Sequence, residues 1–197
     1  MPPIVLASSS RYRRQLLEKL NVSFCWCSPD IDESPLPSET PQTLARRLSE
    51  SKAKALAVQF PAHLIIGSDQ VAQLHDLTLG KPGSHEAAVK QLQEASGQTL
   101  MFHTGVALFN SATDHLQYAC STYEVTFRPL TDEQITNYLR IETPYDCAGS
   151  FKSEGLGIAL FERIRGDDPN SLVGLPLIEL TRMLSNEGID VLQSQPS

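Results

Sequence analysis

Short apolar runs alternate along this chain with stretches in which apolar residues recur every three or four positions. A run bounded by turn residues predicts a buried strand, and the longer spacing predicts a helix with one buried face. Strands are expected at residues 4–6, 22–27, 64–69, 99–109, 118–127 and in an apolar run that ends at residue 164. Helices are expected around residues 16–20, after Thr40, from Ser84 to Ser96, after Thr131 and over residues 176–184. This order predicts an α/β fold, a mixed sheet flanked by helices.

Length and composition narrow the class of protein. The 197 residues contain no Ser-, Gly- or Pro-rich linker, so one domain over residues 1–197 is expected. No apolar run reaches membrane-spanning length and the N-terminus does not resemble a signal peptide, which predicts a cytoplasmic protein that binds no membrane. A net charge of −7 argues against a long nucleic acid as partner. A local basic pocket for a small anion remains compatible with that charge.

The segment from Ser8 to Arg14 joins the first predicted strand to the first predicted helix, and it is rich in hydroxyl and guanidinium groups. Amide groups at a helix start lack partners within the helix, and serine and arginine add donors that match phosphate. The segment therefore either binds an anion or is an ordinary serine-capped helix start with solvated arginines. The segment by itself favours neither interpretation.

Two further positions carry charge that a polyphosphate site would use. A proline-bounded loop at residues 29–35 contains Glu33, and its acids either are solvated or hold a hard cation such as Mg²⁺. Lys52 follows Leu44 and Leu48 at four-residue spacing, so it lies on or beside the buried face of its helix. Its ammonium group either reaches water along the side-chain stem or meets an anion, and the placement modestly favours the anion.

Asp69, Lys81 and a glycine-rich stretch complete the candidate chemistry. Asp69 closes an apolar run, which predicts a carboxylate at the end of a buried strand, although Asp also caps turns. Lys81 precedes Pro82 in a rigid turn, where it either meets a phosphate or is solvated. The glycines of residues 147–157 let a backbone approach a ligand, but a bulged hairpin would use them too.

These groups make one site only if the fold brings them together. Such a site would suit a polyphosphate. Cations would hold the phosphate oxygens, a divalent metal would neutralise charge, and a carboxylate would activate water for attack on phosphorus.

Short motifs in a fixed order make the chain resemble the Maf nucleotide pyrophosphatase family over nearly its full length. They are the S-x-S-x-x-R loop at residues 8–13, Asp32-Glu33, Lys52-Ala53, and residues 67–70, 80–82, 147–155 and 173–176. The resemblance is greatest to the subfamily that hydrolyses 7-methyl-GTP. It implies an elongated fold like that of the inosine triphosphate pyrophosphatases, a homodimer, a divalent cation (Mg²⁺ or Mn²⁺), and cleavage of a nucleoside triphosphate to a monophosphate and pyrophosphate. Arg11 stands where the family commonly has proline.

The resemblance also implies a role for each matched residue. Asp69 would accept a proton; Ser8, Ser10, Arg13, Lys52 and Lys81 would hold phosphates; Glu33 and Asp69 would help place the metal; and Tyr12, Gln70 and Glu154 would set substrate choice.

The choice of base depends on the last three of these residues. Relatives that cleave dTTP and UTP carry Arg, Thr and Gln at these positions. Methylation at N7 gives guanine a positive charge, which suits an aromatic face and a carboxylate. Tyr12 and Glu154 would supply them; without the family pattern, a surface aromatic and a solvated acid are the simpler interpretation.

Two other functions stay open at this point. The chain could be a sister enzyme that acts on dTTP, UTP or another canonical nucleotide, or a non-catalytic nucleotide-binding regulatory module. A module that only binds gains nothing from a general base, so Asp69 together with Lys52 and Lys81 favours catalysis. Release of pyrophosphate in the presence of Mg²⁺ or Mn²⁺ would separate the two classes.

Overall fold

A computed structural model describes residues 2–193, and its central feature is a seven-stranded sheet. The strands are β1 (Ile4–Ala7), β2 (Phe24–Cys27), β3 (Leu64–Leu74), β4 (Leu77–Leu79), β5 (Thr99–Asn110), β6 (His115–Phe127) and β7 (Phe161–Arg165). Their order is β2-β1-β3-β5-β6-β7, and β4 pairs with β3. β1 is parallel to β2 and β3, whereas β4 and β7 are antiparallel to their partners. The predicted mixed α/β sheet is confirmed.

Six α-helices flank the strands in the described part of the chain. They are α1 (Arg11–Glu18), α2 (Pro41–Ala55), α3 (His85–Ala95), α4 (Asp132–Glu142), α5 (Pro169–Val173) and α6 (Leu177–Asn186). The predicted caps are present, because the hydroxyls of Thr40, Ser84 and Thr131 each accept a bond from an amide of the first turn. None of the helices within residues 2–193 combines the length and the apolar character that crossing a bilayer requires.

Three predicted elements differ from the structure. β3 continues past Asp69 to Leu74, because Val71 and Leu74 are buried and continue the strand, so Asp69 lies within a strand and not at its end. The apolar run that ends near residue 164 is divided into a 3₁₀ turn, Leu156–Leu160, and β7. The Gly-Asp-Asp-Pro-Asn sequence at residues 166–170 favours a turn, but α5 begins within it, since Asp168 accepts a bond from the amide of Asn170 and caps that helix.

The chain folds into two compact units. The first unit contains the residues up to Asp69, Thr104–Ser121 and the residues from Asp168 onward. Its core lies on both faces of β1, as expected for a parallel strand. Ile4 and Leu6 pack with residues of α1 and α6, whereas Val5 and Ala7 pack with residues of α2.

The second unit consists of Gln70–His103 and Thr122–Asp167. Its core includes four phenylalanines in edge-to-face contact, with ring centroids 4.9–5.7 Å apart: Phe102, Phe127, Phe151 and Phe161. Phe151 belongs to the glycine-rich stretch 147–157, so this stretch is anchored in the core of the unit.

Candidate active site

An ion-paired lysine is at the centre of the candidate site in the first unit. Lys52 Nζ, on α2, lies 2.7 Å from Asp69 Oδ1, on β3, and 2.9 Å from Glu33 Oε1. The lysine and aspartate side chains are 7% and 11% exposed, whereas that of Glu33 is 56% exposed. The ammonium group therefore meets two carboxylates of its own chain and does not extend into water.

A close approach of helix to strand makes this ion pair possible. A Cβ atom on Gly67 would clash with the carbonyl oxygen of Ser49, so only glycine allows α2 to rest on β3 at this point. The hydroxyl of Ser49 accepts a 3.0 Å bond from the amide of Asp69 and donates a 2.6 Å bond to the carbonyl of Ala45. These contacts fix the backbone of Asp69 against the helix that carries Lys52.

The loop that carries Glu33 is held by an arginine that the sequence pattern did not single out. Arg47 donates from Nε and Nη2 to the two carboxylate oxygens of Glu39, at 2.7 and 2.8 Å. Its Nη2 also donates to the carbonyl of Ser34 at 2.9 Å. The bonds from Arg47 lower the pKa of Glu39 to about 2. This fork-shaped contact connects the acidic loop to α2 and thereby places Glu33 near Lys52.

The two predicted serines organise the start of α1. The buried hydroxyl of Ser8 accepts a 3.1 Å bond from the amide of Ser10. The hydroxyl of Ser10 accepts a 3.4 Å bond from the amide of Arg13, which is the ordinary N-cap arrangement. Both oxygens act as acceptors here, and their hydroxyl hydrogens remain available as donors.

Arg13 reaches back from α1 toward the same carboxylates. Its Nε donates a 2.8 Å bond to the carbonyl of Gly174, and the hydroxyl of Ser68 donates to that oxygen at 3.0 Å. Burial lowers the pKa of Arg13, whereas Asp69 and Glu33 raise it. The guanidinium group therefore lies in the electric field of both acids that contact Lys52.

The aromatic ring of Tyr12 contacts the guanidinium group of the neighbouring residue, Arg11. The guanidinium carbon of Arg11 lies 4.8 Å from the centroid of the half-buried tyrosine ring. Arg11 also donates from Nη2 to the tyrosine hydroxyl at 2.9 Å. The ring face thus makes the type of contact that a positively charged base would make.

The remaining predicted site residues belong to the second unit. Gln70 is half-buried on β3, and Lys81 and Glu154 are exposed. Gln91 connects the turn of Lys81 to the stretch 147–157, because its amide donates to the carbonyl of Gly80 at 3.1 Å and its oxygen accepts from the hydroxyl of Ser150 at 2.5 Å. The structure thus brings together two of the predicted motifs within this unit.

Some residues that build the site were not predicted, because the sequence gives little indication of their role. Arg47, Ser49, Gln91 and the carbonyl of Gly174 act through contacts with residues that are distant along the chain. Arg47 and Gln91 read as ordinary helix-surface residues, and Gly174 lies within a motif but contributes its backbone. Gly67 was the one available signal, since a glycine within an apolar run indicates a close approach of backbone.

Fold and side chains together define a class: a mixed α/β protein in which basic and acidic groups meet beside parallel strands, an arrangement suited to a phosphate-bearing ligand. A family model described as "Maf-like protein" matches residues 3–187, and the chain belongs to this family.

Curated relatives cover nearly the whole chain. A 7-methyl-GTP pyrophosphatase from Nitrosococcus oceani is 54% identical over 97% of this chain and 96% of its own length. A protein of the same name from Pseudomonas putida is 55% identical over 97% of this chain and 100% of its own length. One from Polaromonas is 55% identical, over 95% of this chain and 85% of its own. These relatives confirm the predicted class, an enzyme that hydrolyses acid anhydrides.

A solved structure shares the fold. A HAM1 protein from Coxiella burnetii superposes with a TM-score of 0.53 at 16% sequence identity, and the match covers 94% of this chain and 100% of the other. This likeness supports the predicted α/β architecture.

Proposed function

We propose that this chain hydrolyses 7-methyl-GTP to 7-methyl-GMP and pyrophosphate. The observation that carries the proposal is the ammonium group of Lys52, held between Asp69 and Glu33, with the guanidinium group of Arg13 in the electric field of both acids. The proposal is supported by full-length relatives, 54% and 55% identical, that carry the name 7-methyl-GTP pyrophosphatase.

Asp69 is the proposed general base. Lys52 engages Oδ1 of this carboxylate, which leaves Oδ2 to accept a proton from water. As the water oxygen bonds to the α-phosphorus, the bond from that phosphorus to the α–β bridging oxygen breaks. Pyrophosphate leaves with the bonding electrons, and the proton passes to Asp69.

The phosphate oxygens would be held by cationic and hydroxyl donors. An ammonium group has three N–H donors, and Lys52 directs two of them to Asp69 and Glu33, so a third remains for a phosphate. Arg13 uses Nε for the carbonyl of Gly174, and its terminal nitrogens form the fork that matches phosphate. Three further donors are proposed for the same role: Ser8, Ser10 and Lys81.

A divalent cation, Mg²⁺ or Mn²⁺, would be held by Glu33 and Asp69. Mg²⁺ is usually bound through one or two carboxylates together with substrate phosphates, and these two carboxylates already meet on one ammonium group. Within residues 2–193 no three His, Cys, Asp or Glu side chains are grouped to hold a metal, so phosphate oxygens and water would complete the coordination. When bound, the cation neutralises phosphate charge.

Tyr12, Gln70 and Glu154 are the proposed determinants of base choice. The contact between Arg11 and the ring of Tyr12 supports this role, because the ring already interacts with a cationic group. Glu154 is exposed and carries the negative charge that a cationic base would favour.

A substrate panel tests the proposal. Pyrophosphate release by the purified chain is measured with Mg²⁺ or Mn²⁺ and with 7-methyl-GTP, GTP, dTTP and UTP. The highest kcat/KM is expected for 7-methyl-GTP. Preference for dTTP or UTP would assign the chain to the sister enzymes, and binding without release of pyrophosphate would favour the regulatory module. The homodimer, the cytoplasmic location and the single domain stay predictions.

A further inference from the structure

Glu142, the last residue of α4, holds the stretch that carries Glu154. Its Oε1 accepts a 2.6 Å bond from the amide of Leu156. A Cβ atom on Gly155 would lie only 2.6 Å from the same oxygen, so the backbone passes directly against this carboxylate. Glu142 and Gly155 both belong to the second unit.

The other side of Glu154 is held by the same helix. Lys152 donates from Nζ to the carbonyl of Glu142 at 2.5 Å, and this nitrogen lies 3.7 Å from Oε2 of Glu142. The amide of Lys152 donates a 3.0 Å bond to the hydroxyl of Tyr138. Residues 152 and 156, which bracket Glu154, are therefore both fixed to the C-terminal end of α4.

An acid at this end of a helix is electrostatically unfavourable by itself. The last carbonyls carry partial negative charge, and cationic side chains are the ones that stabilise a helix C-terminus. The carboxylate of Glu142 is only 19% exposed and is compensated by Lys152, which is 15% exposed, and by the amide of Leu156. A local rule broken in this way and compensated by loop contacts is typical of a functional position.

We infer that Glu142 is a positioning residue for base selection: its carboxylate binds the amide of Leu156 and pairs with the side chain of Lys152, and it thereby holds the loop so that Glu154 meets the base in one orientation. The inference rests on the proposed function of Glu154. A loop ordered before binding loses less conformational entropy when the substrate arrives, and the advantage is greatest for the base that Glu154 contacts.

The test compares base discrimination in three variants at position 142, namely Glu142→Ala, Glu142→Gln and Glu142→Asp. For each, kcat/KM is measured on 7-methyl-GTP, GTP, dTTP and UTP, and the ratio between the best and the next nucleotide is compared with that of the wild type. Glu142→Ala is expected to lower this ratio about tenfold, which corresponds to about 1.4 kcal/mol. Glu142→Gln is expected to keep the ratio, because the amide oxygen still accepts the bond from Leu156. Glu133→Ala, an exposed acid in the first turn of α4, is the matched control.

A purely structural role gives a different result. An equal loss on all nucleotides with an unchanged ratio would overturn the inference, as would a ratio in Glu142→Gln as low as in Glu142→Ala. If the alanine variant does not fold, the third variant, Glu142→Asp, replaces it, since the shorter side chain withdraws the oxygen and is expected to lower the ratio while Gln does not. Failure of the proposed function would be seen separately, because the wild type would then not have its highest kcat/KM on 7-methyl-GTP.

Discussion

In the first unit Lys52, Asp69 and Glu33 contact one another, whereas two site residues of the second unit stand on loops that other residues hold. Lys52 bonds directly to Asp69 and Glu33. Lys81 and Glu154, in contrast, are exposed and belong to segments fixed by Gln91 and Glu142.

This difference indicates a division of labour. Opposed charges that hold each other suit chemistry on the phosphates, which every nucleoside triphosphate presents. An exposed carboxylate on an anchored loop, such as that of Glu154, suits recognition of a base, which differs from one nucleotide to another. Changes at Lys52 or Asp69 should therefore affect all substrates alike, and changes at Glu154 should affect them unequally.

Asp69→Asn is the change with the largest expected effect. Turnover should fall ~10²–10⁴-fold on every nucleotide, because an amide does not accept a proton at neutral pH. Lys52 can still donate to the amide oxygen, so the fold should persist, which circular dichroism would check. Asp114→Asn, in the turn between β5 and β6, is the control. Wild-type turnover in Asp69→Asn would remove this residue from the mechanism.

Lys52→Gln should have the next largest effect. Loss of one positioned donor typically costs ~10²–10³-fold in kcat, and the loss should be the same for all bases. The matched control is Lys54→Gln, an exposed lysine on the same helix, whose rates should equal those of the wild type. If Lys52→Gln also keeps the rates of the wild type, Lys52 has only a structural role. A base-dependent loss in Lys52→Gln would break the division between the two groups.

Glu154→Gln should act on one substrate in particular. The loss in kcat/KM, expressed as a free energy, should be about 1.5–3 kcal/mol larger for 7-methyl-GTP than for GTP. This is the contribution of a hydrogen bond to a charged group. Glu162→Gln, an exposed acid on β7, provides the comparison and should leave the ratio unchanged. Equal losses on both nucleotides would contradict a role for Glu154 in base choice.

The smallest expected effect concerns the anchor of the Glu33 loop. Bonds from Arg47 lower the pKa of Glu39 from its ordinary 4.5 to about 2. A depressed folded-state pKa contributes stability that is present above pH 4.5 and is lost as the pH falls toward 2. The unfolding free energy of the wild type should therefore fall more steeply across this window than that of Glu39→Gln. Parallel curves in urea titrations would show that the pair adds no pH-dependent stability.

Several features of the fold could be predicted because they depend on neighbours along the chain. The caps at Thr40, Ser84 and Thr131 are local signals, and the leucine spacing correctly put Lys52 on the buried face of α2. The end of β3 was predicted wrongly, because Asp69 interrupts the apolar run although the strand continues to Leu74.

The contacts that assemble the candidate site could not be predicted in the same way. Arg47 and Glu39 are separated by the first turns of a helix, and nothing in their spacing indicates a pair. Glu142 meets Leu156 only because α4 and the stretch that follows it fold back together. Such pairings depend on packing of the whole unit, which periodicity and capping do not encode.

In the proposed mechanism, water attacks the α-phosphorus of 7-methyl-GTP with Asp69 as base. Hydrolysis in water enriched in heavy oxygen, followed by mass spectrometry of both products, tests it most directly. The label is predicted in the phosphate of 7-methyl-GMP, with unlabelled pyrophosphate, and both products should be nearly absent with Asp69→Asn. Label in the pyrophosphate, or release of inorganic phosphate in place of pyrophosphate, would contradict this mechanism.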